Sequence, residues 1–568
     1  MTDFRVRALE IHSRYVWDFD WVRRALDFIA AQGMTALVLH RNDIVDRIVW
    51  PSRYFGGTGP YGNIFERYRD IHRALYRYTP TRRSGPYHRR DYLRRLIDLA
   101  GRLGIEVYFQ NKELFFHEIF LELRPELVKG GTVCPNEPFW WEFLETKYTE
   151  LFEELPNLAG IITAPGTGES KVSISANRCT CPRCQSSTPR DWFAHLIDAM
   201  HRPIRRAGKQ LVVRDFVFDK KSQDRLAATF ELLPADVIIS FKNTPHDYYP
   251  TFPDNPRIGK AAGHRQWVEF DCMAQYFGWG IGPAIMIEDY RRRLERARSA
   301  GVEGVVFRTD WESLDGHTAF HTPNVINAYA GAKLSRDGAT PASEIYERWL
   351  VDRGLLADEG ADSRRRAAAW AERLFSRTWE VVRRALYMND CVFNDSSTFP
   401  VGLRHAFWLA EEKNSLKDWE PSAADALVPT EENVRRILAE KDEALAILDD
   451  IARVLLDPPS GLAAPALDDL CTRFDIFRRY VRGFRAVGRA CILARYLAQA
   501  PEAAGAFRGE AAALFAAAQA DLLGLAAEFE AFAASTDHRY PVYVLLGAER
   551  LRTLHADLAH AVGGSGDP

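Results

Sequence analysis

The chain has few of the features that would assign it to several large protein classes. Eight cysteines among 568 residues are too sparse for a disulfide-built scaffold. Basic and acidic residues nearly cancel, 74 against 77, for a net charge of −3, so nothing marks a general polyanion binder and no nucleic-acid partner is expected. No run of about 18 apolar residues is evident, so no membrane span or membrane partner is expected. The opening residues, Met1 to Arg5, are not followed by an apolar segment, so no signal peptide is expected and the expected location is cytoplasmic. No glycine-rich dinucleotide fingerprint follows the first apolar run, which argues against a doubly wound sheet. No HExxH pair is present, which argues against a catalytic metal; no cofactor is expected to be required.

What is present is soluble composition, 47% hydrophobic and 27% charged, in a strand-then-helix grammar. Strands are expected at Arg7–His12, Thr35–His40, Glu106–Gln110, Ala159–Thr163, Gln210–Phe216, Asp236–Lys242, Gln266–Asp271 and Gly304–Arg308. Helical spacing lies between them, at Trp21–Gln32, Tyr92–Leu103, Trp140–Glu154, Arg190–Gly208, Gln223–Leu233 and Ile287–Ala300. Eight strands alternating with helices predict a (β/α)8 TIM barrel over 1–339. From about Thr340 strand signals stop and Ala, Leu, Arg and Glu recur with helical period, predicting an all-α C-terminal domain over 340–568. The stretch from Asp46 to Arg90, rich in Tyr, Arg, Gly and Pro, reads as a long loop suited to substrate binding. Asn389–Glu420, with Phe393, Phe399, His405, Phe407 and Trp408, reads either as a segment over the barrel mouth or as an irregular core connection.

Barrel chemistry gathers at the C-terminal ends of the strands. The polar residues there are His12, His40 with Asn42 and Asp43, Asn111 with Glu113, Arg214 with Asp215, Lys242 with Asn243 and Asp247, Glu269 with Asp271, and Arg308 with Asp310 and Glu312. Central among these stretches is Leu158–Glu169: a buried strand, a turn forced by Pro165, Gly166 and Gly168, and one carboxylate, Glu169, at its end. Tyr248, Tyr249, Tyr276, Trp279 and Trp311 lie in the same loops. Converging carboxylates beside aromatic faces suit a glycosidase. One acid protonates the leaving oxygen, a second carboxylate attacks or activates water, and rings stack on sugar. Each residue also has a structural reading: Glu169 as a loop or cap carboxylate, Asp247 as a turn cap, Arg214 and Lys242 as ion-pair partners, and the tryptophans as packing.

The run Phe241-Lys-Asn-Thr-Pro-His-Asp-Tyr-Tyr-Pro250, then Val268-Glu-Phe-Asp271 and Tyr276, resembles stretches of family 67 glycoside hydrolases, the α-glucuronidases. So do Trp311, Gly316, His317, Asn327 to Tyr329, Glu344, Ile345 and Trp349, and the resemblance covers about Tyr92 to Trp349. It implies an exo-acting, inverting hydrolase that removes a terminal α-linked uronic acid from an oligosaccharide. By position, Glu169 matches the general acid and Asp247 one of two bases, while Arg214 and Lys242 match contacts to the uronate carboxylate. The second base position holds Gln275, which throws that role onto Asp247, with Asp271 or Glu269 in reserve. Thr163-Ala164 stands where the family has a further lysine, and the family's N-terminal β-rich domain has no counterpart. Asn111, Glu113, His40, Asn243, Glu269, Asp271, Gln275, Tyr276 and Trp311 complete the expected substrate contacts. Family relatives also imply a homodimer.

Two alternatives stay open: a glycosidase for a neutral or N-acetylated sugar, and a carbohydrate-binding barrel without catalysis. Gly168, where family 20-like enzymes place an Asp before the acid, argues against acetamido chemistry; Gln275 favours the non-catalytic reading. Separately, Cys179, Cys181 and Cys184 have a spacing able to hold structural zinc, with Cys134 or a histidine as fourth ligand. Free thiols or one local disulfide are the competing readings.

Overall fold

The computed structural model describes residues 4–49, 80–116, 121, 124–165, 170–174, 179–216, 219–499 and 505–563, apart from positions 274, 315, 395, 414, 538, 541 and 543–545. Its barrel strands are β1 (Val6–Ile11), β2 (Ala36–His40), β3 (Glu106–Asn111), β4 (Gly160–Thr163), β5 (Gln210–Arg214), β6 (Ile238–Lys242), β7 (Gln266–Asp271) and β8 (Gly304–Arg308). They close into one barrel whose ring order is the chain order, with β1 between β8 and β2. Neighbours pair in parallel, as in Ala8 with Ala36 and Val306, or Phe109 with Ile161. The strands match the expected positions, with β5 ending at Arg214 and β6 starting at Ile238.

These segments form strands because they are short apolar runs covered on both faces, as a parallel sheet requires. Every residue of β2, β4, β6, β7 and β8 is buried. Side chains alternate along a strand, so every second residue enters the barrel. The innermost apolar layer is Val6, Ala8, Ala36, Val38, Tyr108, Ile162, Val212, Ile238, Trp267 and Val306. Small Ala8 and Ala36 leave room for two large rings, Tyr108 edge-on to Trp267 at 5.2 Å between centroids. Gly160 is fixed by close approach: a Cβ there would lie 2.3 Å from the Gln210 carbonyl oxygen.

The barrel helices are α1 (Phe19–Ala31), α2 (Pro80–Arg102), α3 (Phe139–Glu154), the short α4 (Pro182–Ser186), α5 (Pro189–Arg206), α6 (Lys220–Ala227) and α7 (Ile287–Ser299). Asp18 caps α1 by accepting from the Trp21 amide, and Val22, Ala25, Leu26 and Ile29 form its buried stripe. Much of the expected Asp46–Arg90 loop, residues 50–79, lies outside the described residues. Its ends are structural: α2 already begins at Pro80, Asp46 pairs with Lys147 of α3 at 2.9 Å, and Arg90 Nε donates to the Ile48 carbonyl at 2.6 Å.

Helices dominate the remainder: α8 (Val325–Arg336), α9 (Ala342–Asp352), α10 (Ala361–Phe375), α11 (Thr378–Leu386), α12 (Leu403–Trp408), α13 (Glu431–Ala452), α14 (Ala464–Gln499), α15 (Gly505–Ser535) and α16 (Ala548–Gly563). Within this region α10 and α11 are separate helices, broken between Phe375 and Thr378. Within Asn389–Glu420, Phe393, Phe399 and Phe407 are buried while His405 and Trp408 are half-buried, and the Phe399 ring lies 4.9 Å from Phe484 and 6.3 Å from Phe529.

One expectation needs correction. Among the described residues, Phe507–Ser535 is long and apolar enough, by length and composition, to cross a membrane. Its hydropathy comes largely from alanine. Phe507, Ala511, Phe515, Ala518, Leu522, Leu525, Ala526 and Phe529 are buried, at helical spacing, and Glu528 pairs with Arg482 of α14 at 2.8 Å. The helix thus has the one-sided burial of a core helix.

Contacts divide the chain into two compact units. One holds residues up to 243, 255–270 and 295–316; the other holds 244–254, 271–294 and everything from 317.

Candidate active site

Following the inward parity from the apolar layer toward the strand C-termini gives a second, polar layer. Ala8 leads to Glu10, Val38 to His40, Tyr108 to Gln110, Val212 to Arg214, Ile238 to Ser240, and Trp267 to Glu269. These side chains form one continuous chain of hydrogen bonds. His40 Nδ1 meets Glu10 Oε1 at 2.7 Å. The Gln110 amide spans His40 Nε2 at 3.1 Å and, with its oxygen turned to the guanidinium, Arg214 Nη1 at 2.6 Å. Arg214 grips Glu269 through Nε at 2.8 Å and Nη2 at 2.5 Å, and Ser240 donates to Glu269 at 2.6 Å. The Arg214–Glu269 pair is bidentate and almost fully buried, so each charge depends on the other.

Two residues further along the same parity lie His12, Lys112, Phe216, Lys242 and Asp310. The Phe216 ring gathers three cations: Lys242 Nζ at 3.9 Å from its centroid, and Lys112 and Arg214 at 5.4 Å each. His12 stacks on His40 at 3.4 Å, and its backbone amide donates to Asp310 Oδ1 at 2.5 Å. Neither ring nitrogen of His12 has a hydrogen-bond partner among the described residues, although the residue is 4% exposed. Both imidazoles are held well below the usual histidine range. Burial is the largest cause, and Arg308, Lys112 and Arg214 add repulsion at each.

The opposite parity carries residues outward, and several expected contacts fall there. Asn111 and Glu113 were expected to touch substrate; both are consumed by protein contacts. Asn111 Nδ2 donates to Glu113 Oε1 at 2.9 Å while its Oδ1 accepts from the Val45 amide. Glu113 takes Lys147 Nζ at 3.1 Å and the Tyr148 hydroxyl. Asp215 receives Gln223 of α6 at 2.9 Å, and burial pushes its carboxyl up to about 7. The Asn243 amide continues the strand pairing by donating to the Glu269 carbonyl at 2.9 Å. Trp311 is half-buried in the segment after β8, where Glu312 accepts from Asn42 at 3.0 Å.

The second compact unit holds its own polar group. The Tyr276 hydroxyl donates to Asp247 Oδ2, and Gln275 Nε2 donates to the Tyr276 oxygen at 2.7 Å. The Tyr249 ring packs 4.1 Å from Tyr276, with His246 stacked beyond Tyr249. Asp247 has φ +45, a left-handed conformation uncommon outside glycine. The loop is pinned by Thr244, which donates to the Asp247 carbonyl at 2.6 Å, and by Tyr387, which donates to the Tyr276 carbonyl at 2.6 Å. Asp271 accepts from the Met273 amide at 3.0 Å, a turn contact. Glu169 lies outside the described residues.

Sequence inspection passed over Glu10, Gln110 and Ser240, and did not single out Lys112 from its neighbours. Two-residue parity carried forward from the apolar residues of each strand, Ala8 to Glu10, Tyr108 to Gln110 and Lys112, and Ile238 to Ser240, reaches all four.

The four cysteines meet in the first unit. One sulfur from each of Cys134, Cys179, Cys181 and Cys184 lies within 4.8 Å of the others.

A closed eight-strand parallel barrel with a charged layer at its C-terminal end is the TIM-barrel class. No protein-family model and no curated protein matches the sequence. Among solved structures, the chain is similar to a GH138 enzyme targeting pectin rhamnogalacturonan II, at TM-score 0.58 and 11% identity over 92% of this chain. The chain spans 62% of that enzyme's length. Weaker likenesses include a Thermobaculum terrenum O-GlcNAc hydrolase, at TM-score 0.42 and 12% identity over 99% of this chain and 95% of that one. A GH20 exo-β-N-acetylglucosaminidase from Vibrio harveyi follows, at TM-score 0.40 and 12% identity over 62% of this chain and 58% of that one. At these identities the shared property is the fold.

Proposed function

We propose that this protein is an exo-acting glycoside hydrolase that removes a terminal α-linked uronic acid from an oligosaccharide. One observation supports an anionic sugar above a neutral one. Two stacked, buried imidazoles are both kept uncharged by burial and by the same cations, Lys112, Arg214 and Arg308. Positive potential at the strand ends favours a carboxylate-bearing ligand, and a neutral His12 supplies a donor and an acceptor to sugar hydroxyls. The barrel class and the glycoside-hydrolase neighbours are consistent with sugar hydrolysis.

In this reading Lys242 binds the uronate carboxylate, while Arg214 is held by Glu269 and shapes the site from below. Glu169 is the general acid, from its position in the sequence after β4. Asp247 is the general base, oriented by Tyr276. The family 67 likeness in the sequence motivates these roles and an inverting course.

The test is hydrolysis of aryl α- and β-glycosides, including glucuronides and galacturonides, by the wild type and by Glu169→Gln, Asp247→Asn and Lys242→Met. Release from an α-uronide is expected. Asp247→Asn should lower turnover by a factor on the order of 10² to 10⁴ with folding intact. Glu169→Gln should lose less on aryl leaving groups than on oligosaccharides, and Lys242→Met should raise KM for uronides. Release only from neutral or β-linked substrates would discard the uronate site. An unchanged Asp247→Asn would remove the base assignment.

A further inference from the structure

The proposed hydrolysis assigns no step to the cysteine cluster, and its geometry has its own explanation. Cys134 Sγ lies 3.6 Å from Cys181 Sγ and 3.5 Å from Cys184 Sγ. A disulfide needs about 2.05 Å, so these thiols are not bonded to one another. A tetrahedral zinc site with metal–sulfur distances of about 2.3 Å has sulfur–sulfur edges of about 3.8 Å. Four sulfurs within 4.8 Å of one another fit that tetrahedron.

The surroundings are built as a ligand shell would be. Asn136 Nδ2 donates to Cys184 Sγ at 3.4 Å. The loop carrying Cys134 is pinned by two indoles: Trp140 Nε1 donates to the Cys134 carbonyl and Trp192 Nε1 to the Pro135 carbonyl, each at 2.9 Å. Cys134 is buried and the other three are half-buried. Among the described residues between β4 and α5, the short α4 carries Cys184.

We propose that Cys134, Cys179, Cys181 and Cys184 bind one zinc ion as a tetrathiolate site. The ion ties the segment before α3 to the connection between β4 and α5, the same connection in which Glu169 occurs. All four positions carry protein sulfur, so no open coordination position remains and the role is structural. Thiolates select a soft or borderline metal, and four of them in a tetrahedron suit zinc.

The full-length chain, purified without chelator, is assayed for metal by mass spectrometry of the elements. About one zinc per chain is expected. Cobalt substituted for zinc should show the intense sulfur-to-metal absorption of a tetrathiolate. Cys181→Ser and Cys184→Ser should each lose most of the zinc, whereas Cys471→Ser, at an exposed cysteine elsewhere, should keep it. If the serine variants fail to fold, thiol counting on the wild type decides: four thiols should become reactive only after a chelator removes the metal. A metal-free wild type with four reactive thiols would overturn the site, as would zinc retained in the Cys181→Ser, Cys184→Ser double variant. Stoichiometric iron with an iron–sulfur spectrum would overturn zinc.

Discussion

Arg214 and Glu269 show how much a single residue's neighbours decide its role. Both are charged residues at strand ends, and either could face a ligand. In the barrel they face each other, buried, with Ser240 and Gln110 completing the hydrogen bonds. Removing one partner strands the other charge in a low-dielectric interior, so Arg214→Met or Glu269→Gln should each cost about 3–5 kcal/mol. Replacing both with apolar residues should cost less than the two single losses summed. Calorimetric unfolding of the two single variants and the double variant measures this, and strict additivity would show that the pair is not coupled. Gln275 is a second case. It cannot act as a base, but through Tyr276 it supports the residue that can, Asp247.

At the scale of elements, strand parity sorts the barrel. The inward rows run from apolar residues through Glu10, His40, Arg214 and Glu269 to His12, Lys112, Lys242 and Asp310, while the outward rows take Asn111, Glu113 and Asp215 to the helices. A one-residue shift in reading a strand end exchanges these sets, which is why Asn111 and Glu113 looked like site residues. Helix α15 makes the matching point for the helical region. Its apolar composition alone allows a membrane span, and its buried stripe gives it a place in a protein core. Phe529, fully buried against Phe399, should cost about 3–5 kcal/mol when cut to Ala. A melting temperature unchanged by Phe529→Ala would mean that α15 does not pack there.

For the whole molecule, pH couples to stability through a buried carboxyl on the outward face of the barrel. Asp215 is pushed from 3.8 up to about 7, chiefly by burial. The folded state therefore prefers the protonated form. Its contribution is complete below the unfolded value and is lost as pH rises through about 7. The loss is on the order of a few kcal/mol at most. Asp215→Asn keeps an acceptor for Gln223 and removes the titration. Its melting temperature should match the wild type near pH 4 and exceed it at pH 8. Parallel curves across that range would show that Asp215 does not titrate in the folded state.

The sequence alone determined the architecture: short apolar runs at regular spacing can be buried on both faces only in a parallel sheet wrapped by helices, and their number matched a closed barrel. It also disclosed the cysteine spacing and the residue types at the strand ends, because these are local facts. Tertiary structure decided which of those residues meet. Ring closure sets Arg214 against Glu269, two strands apart, and the fold brings Cys134 to a cysteine run far along the chain. Contacts between residues distant in sequence depend on register and closure, and no local pattern encodes either.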